Sequence, residues 1–162
     1  MSPHVNIAHG QFTVASTVNS RTEPLTAADL AASNGLLLVS SDHTSAMVIT
    51  GALYGEAPVA VAFTPTAPPS HLNDWDDVVE TSMVAQGPAL FLESPEDLGE
   101  DVVEIPLPSG AQERQWWRLR LHARGRDNGS RCAAATSDGP EAYLLQLWPS
   151  PRASDARLKL TS

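Results

Sequence analysis

Ten short apolar or alternating runs recur along this chain, most of them closed by Gly, Pro, Asn, Asp or Ser: Gln11–Ser16, Gly35–Ser40, Ala46–Thr50, Pro58–Phe63, Val78–Val84, Ala89–Leu92, Val102–Leu107, Trp116–Ala123, Tyr143–Trp148 and Arg157–Leu160. Runs of this length between turn residues suit strands, and thirteen Pro and ten Gly leave little room for long helices. The pattern predicts an all-β chain, a two-sheet antiparallel sandwich of about eight to ten short strands with at most one or two short helices. One helix is expected after Thr26-Ala27-Ala28-Asp29, a capping box with Asp in the Glu position, ending before Asn34-Gly35. The 162 residues suffice for one domain with its own core, spanning 1–162. The Pro-rich segment 64–70 reads as an extended loop, and 152–162 as a tail whose alternating charge would protect an edge strand.

The clearest strand is QWWRLRLHAR (Gln115–Arg124). At a period of two, Trp117, Leu119, Leu121 and Ala123 share one face, with Trp116, Arg118, Arg120, His122 and Arg124 on the other. The apolar face must pack on a second layer, so an aspartate at Leu119 is expected to unfold the domain. The polar face is expected to tolerate change, Arg118→Ser leaving stability nearly untouched. Asn128-Gly129 beyond it has the composition of a tight hairpin turn.

Charge is unevenly distributed. The chain carries a net −9, yet six of its ten cations lie between Arg114 and Arg131. Residues 22–113 hold fifteen carboxylates and no Lys or Arg. The Arg face has two readings: cross-strand pairing with Glu80 or Glu104, or an anion site formed by Arg118, Arg120 and Arg124. The acidic excess disfavours nucleic acid as a direct partner and fits a cationic protein, such as a nuclease or toxin. Within HLNDWDDVVE, Trp75 among Asp74, Asp76, Asp77 and Glu80 is the candidate partner-binding segment, an aromatic anchor with carboxylates to steer a cation toward it.

Catalytic motifs are few. Ser40-Ser41-Asp42-His43-Thr44 holds triad residue types, but neighbours on an extended segment point apart, so a polar turn is expected and a hydrolase using His43 or His122 stands third among the functions. The five histidines show no metal-ligand spacing and no Gly-rich phosphate loop is present, so neither metal nor cofactor is expected. The single Cys132 excludes an internal disulfide. With an N-terminus that lacks a basic segment followed by an apolar run, it suggests the cytoplasm. No membrane-spanning run is present, and oligomeric state is not encoded in any motif. A second function is a small-molecule or carbohydrate-binding sandwich in which Trp75, Trp116 and Trp148 form a stacking platform.

IAHGQFTV (Ile7–Val14), the mid-chain Asp74-Trp75, PLPSG (Pro106–Gly110) leading into WWRLRLHARG (Trp116–Gly125), and YLLQLWP (Tyr143–Pro149) follow an order that resembles the competence-J family, small β-rich inhibitors of a DNA-entry nuclease. The stretch from Ala28 to Pro69 departs from that pattern, and the resemblance assigns no inhibitory residue. It implies a non-enzymatic β-sandwich that acts by binding another protein, as an inhibitor or immunity factor.

Overall fold

The computed structural model describes residues 2–18, 26–110, 113–127, 134–135 and 139–161. In chain order its elements are β1 (His4–Ile7), β2 (Gln11–Ala15), α1 (Ala27–Ala32), β3 (Leu37–Val39), β4 (Ser45–Ile49), β5 (Tyr54–Phe63), β6 (Asp77–Ala85), β7 (Ala89–Glu93), β8 (Val103–Pro106), β9 (Gln115–Arg124), β10 (Ala134–Ala135), β11 (Ala142–Pro149) and β12 (Ala156–Leu160). All ten expected runs are strands. The two additions are β1, whose only apolar residues are Val5 and Ile7, and the two-residue β10. Thr26 caps α1 as expected: its hydroxyl accepts from the Asp29 N–H at 3.1 Å, and Asp29 accepts from the Thr26 N–H at 2.9 Å. Asn128-Gly129 and Cys132 lie outside the described residues.

The strands form two layers. The larger sheet runs β1-β5-β11-β9-β6-β12, with β10 beside β5, and the smaller runs β3-β4-β2-β7-β8. Pairing is antiparallel except between β5 and β11 and between β10 and β5. The tail strand β12 lies at an edge, where its Arg157 and Lys159 were expected. Trp117, Leu119, Leu121 and Ala123 are at most 2% exposed and face the smaller sheet's Phe12, Val14, Val48 and Leu90. Burying each large side chain contributes roughly 1.5–3 kcal/mol, so this face holds the two layers together. Phe12 meets Tyr143 across the sandwich, edge to face, at a centroid distance of 5.3 Å.

The opposite face of β9 is also covered. Glu80 on β6 stands across from Arg120 and accepts from Arg118 Nε at 3.1 Å and from Arg120 Nε at 2.8 Å. The remaining guanidinium donors reach outward to the chain that crosses over them: Arg118 to the carbonyls of Ala153 and Ser154, Arg120 to the Pro68 carbonyl and the Gln146 side chain. The Pro-rich loop and the tail therefore lie over this face as a third layer, held by Arg forks. Arg118 and Arg120 are only 6% and 7% exposed, which overturns the expectation of a tolerant polar face. Arg118→Ser removes one of the two cations on Glu80 and takes the donor from the Ala153 and Ser154 carbonyls, a change that should cost about 1–3 kcal/mol. Of the two expected partners, Glu80 makes the pairing. Glu104 lies on β8 of the other sheet, opposite Phe91.

His122 completes the covered face. Its Nδ1–H donates to the Leu144 carbonyl at 3.4 Å, and Nε2 accepts from the His71 N–H at 3.5 Å. The ring is thus neutral, and burial, ahead of the nearby Arg120 charge, lowers its pKa from 6.5 to about 4.

At one end of the sandwich a buried carboxylate fixes a loop. Glu141, 1% exposed, accepts from the N–H groups of Gly51 and Ala52 at 2.8 and 3.0 Å and from the Tyr143 hydroxyl. Burial, then the Glu141 charge, holds that phenol well above the usual tyrosine range, so it remains a donor. Gly51 is required here because a Cβ would overlap the Arg126 carbonyl.

Two measurements check these assignments. Glu141→Gln offers one carbonyl oxygen and an amide donor to three donors, and should lower unfolding free energy in urea by about 1–3 kcal/mol. For His122, both folded and unfolded rings are neutral above pH 6.5; as pH falls toward about 4 the unfolded state takes a proton that the folded state refuses, so stability is lost across that window. His122→Gln should lose less stability than the native chain between pH 7 and 5 in parallel urea titrations.

Candidate functional site

The segment expected to bind a partner is largely stitched into the fold. Asp77 is fully buried, pairs with Arg126 Nη1 at 3.0 Å and accepts from the Thr161 N–H at 2.8 Å. Glu80 is held by two arginines. Asp76 is exposed but accepts from the Gly125 N–H at 2.9 Å. Trp75 is half-buried: Arg124 stacks on its ring at 4.9 Å, His122 packs against it, and its carbonyl accepts from Lys159. Asp74 is exposed. Of the five residues, only Asp74 and Asp76 present carboxylates outward, beside a tryptophan already covered by a cation.

The Arg residues divide similarly. Arg118 and Arg120 spend their forks on internal acceptors, leaving Arg124 as the exposed member of the expected anion site. The three tryptophans do not form a platform, because each carries its own guanidinium: Arg124 over Trp75, Arg120 over Trp148 at 4.9 Å and Arg152 over Trp116 at 5.6 Å.

The polar turn at residues 40–44 is built by Asp42, which accepts from the hydroxyls of Ser40 and Thr44, both at 2.7 Å. Those bonds, the Ser40 one first, lower its pKa to about 2. His43 turns away, its ring edge-on to Trp116 and its Nδ1 at 3.3 Å from the Ser82 carbonyl. No Ser–His–Asp relay forms here. Among the described residues no group of His, Cys, Asp and Glu is placed to hold a metal ion, and no helix is long and apolar enough to cross a membrane.

A different surface gathers at the end of the sandwich where Glu141 fixes its loop. His9 and Gly10, both with positive φ, make the two-residue turn from β1 into β2. The His9 ring links the neighbouring loops, its Nε2 at 2.9 Å from Glu96 and its Nδ1 accepting from the Tyr54 hydroxyl at 3.1 Å. The Gly10 N–H donates to the Leu53 carbonyl at 3.0 Å. In the β7–β8 loop, Asp97 accepts from Asn6 Nδ2 and from the Ser94 N–H, at 2.9 and 2.7 Å. Beyond it the chain turns through Leu98, Gly99 and Asp101, all with positive φ. Leu98 is 68% exposed, and Glu96, Glu100 and Asp101 stand exposed around it. The sequence signal for this surface was ESPEDLGED (Glu93–Asp101), a lone leucine among carboxylates in a Pro- and Gly-containing loop.

No family model matches this sequence, and no curated protein does. Among solved structures the fold is similar to that of ComJ from Bacillus subtilis, an inhibitor of the DNA-degrading activity of NucA, with a TM-score of 0.56 and 10% identity over 93% of this chain and 96% of that one. It is also similar to the product of crocagin biosynthetic gene J, with a TM-score of 0.54 and 13% identity over 92% of this chain and 96% of that one. The resemblance to the competence-J family seen in the sequence is therefore a resemblance of fold across most of the chain.

Proposed function

We propose that this chain is a non-enzymatic protein-binding module that engages a cationic protein, in the manner of an inhibitor or immunity factor for a nuclease or other basic toxin. The observation that carries this reading is the charge left over once internal pairing is complete. Arg118, Arg120 and Arg126 are committed to Glu80 and Asp77, while Asp74, Asp76, Glu96, Glu100, Asp101 and Glu104 stay at the surface. With no Lys or Arg between residues 22 and 113, nothing in that stretch offsets them. Such a field raises the encounter rate with a basic protein and repels nucleic acid. The likeness to ComJ supports an inhibitor.

The test is to isolate the partner on the immobilised protein, identify it, and measure association by stopped flow. A basic enzyme that loses activity at a stoichiometric ratio, with an association rate falling as ionic strength shortens a Debye length of about 8–10 Å, is the expected result. An acidic partner, or a rate insensitive to salt, would contradict the proposal.

A further inference from the structure

We infer that the cationic partner docks on the loop end of the sandwich, with an apolar residue seated against Leu53, Tyr54 and Leu98 and flanking Lys or Arg residues meeting Glu96, Glu100 and Asp101. This rests on the cationic-partner reading and adds the surface to it. Leu98, Leu53 and Tyr54 are 68%, 51% and 44% exposed. They come from the two loops that His9 joins, through Tyr54 on one side and Glu96 on the other.

Charge complementarity fixes the kind of partner. No Lys or Arg occurs between Glu93 and Glu113, so the charges that the β7–β8 loop itself sets around Leu98 are all negative. The Asp74–Asp76 face, by contrast, places the Arg124 guanidinium over its own tryptophan, which both repels a cation and covers the ring that would anchor it. The loop end is also preorganised. Among the described residues, three of the four non-glycine residues with positive φ, His9, Leu98 and Asp101, lie there. Asp97 is tied to Asn6 and Ser94, and Glu141 holds the backbone just before Leu53. Loops already fixed in one shape lose little conformational freedom on binding, which favours a tight complex. A partner's apolar anchor ringed by cations matches this surface on both counts.

Two probes test the assignment. The first is amide NMR of the full chain titrated with the peptide Lys-Gly-Lys-Trp-Lys-Gly-Lys. Shifts should concentrate at residues 9–10, 53–54 and 96–101 and weaken at least threefold in Leu98→Ser, with Leu158→Ser, another exposed leucine, as the unaffected control. Shifts centred on residues 74–76, or none at these loops, would overturn the surface. The second is the isolated partner itself. Glu96→Gln, Glu100→Gln and Asp101→Asn together should raise Kd at least tenfold, and Asp74→Asn with Asp76→Asn by less than twofold. The opposite ranking, with binding still salt-dependent, would reject the loop end while leaving the cationic partner in place. Salt-independent binding would reject the cationic partner itself.

Discussion

Glu80 accepts from two arginines at once, and the arrangement of the outer face follows from that. A carboxylate of this kind under a covering loop is costly to bury unless its charge is matched and its lone pairs are filled. Arg118 and Arg120, one strand away and two residues apart, do both. Each guanidinium then has donors left over, and these bind the carbonyls of Pro68, Ala153 and Ser154. Two segments with little regular pairing of their own are thereby attached to the sheet. The six cations gathered between Arg114 and Arg131 in an acidic chain are explained in part as the internal counter-charge for that layer.

This use of the cations determines what the surface becomes. The acidic residues nearest the arginines in space, Glu80 and Asp77, are neutralised inside. On the β7–β8 loop, Glu96, Glu100 and Asp101 pair with no arginine among the described residues and remain exposed. The chain thus separates its charges by element, with Arg118 and Arg120 of β9 directed under the cover and exposed carboxylates at one end of the sandwich. Glu141 adds a mechanical link, since the same buried carboxylate that receives the Tyr143 hydroxyl also pins the backbone leading to Leu53 and Tyr54.

The strands were legible in the sequence because a half-buried strand must alternate, and β9 does so over its full length. The capping box at Thr26 was legible for a similarly local reason. What lay on the outer face of β9 was not. Alternation tells which residues face away from the core but not whether a further segment covers them, so Arg118, Arg120 and His122 read as surface and are buried. The pairing with Glu80 was among the expected options, but which strand lies beside β9 decided it: β6 does, whereas Glu104 lies in the other sheet. The exposure of Leu98 in the acidic loop leaves no sequence pattern for a different reason. Trp75 is the more conspicuous residue in sequence, yet Arg124 stacks on it, whereas Leu98 is held outward by backbone turns that no hydrophobic pattern reports. The parallel pairing of β5 with β11 joins elements far apart in the chain and likewise leaves no local trace.

The most direct test of this division is hydrogen exchange of the full chain, free and bound to the proposed cationic partner, read by mass spectrometry. The account predicts new protection confined to residues 9–10, 51–54 and 94–102. Amides at 64–76 and 150–155 should be unchanged, since the cover they form is already closed. Protection gained over 64–76 instead, with 94–102 unaltered, would show that the covered face is the interface and that the charge separation described here does not direct binding.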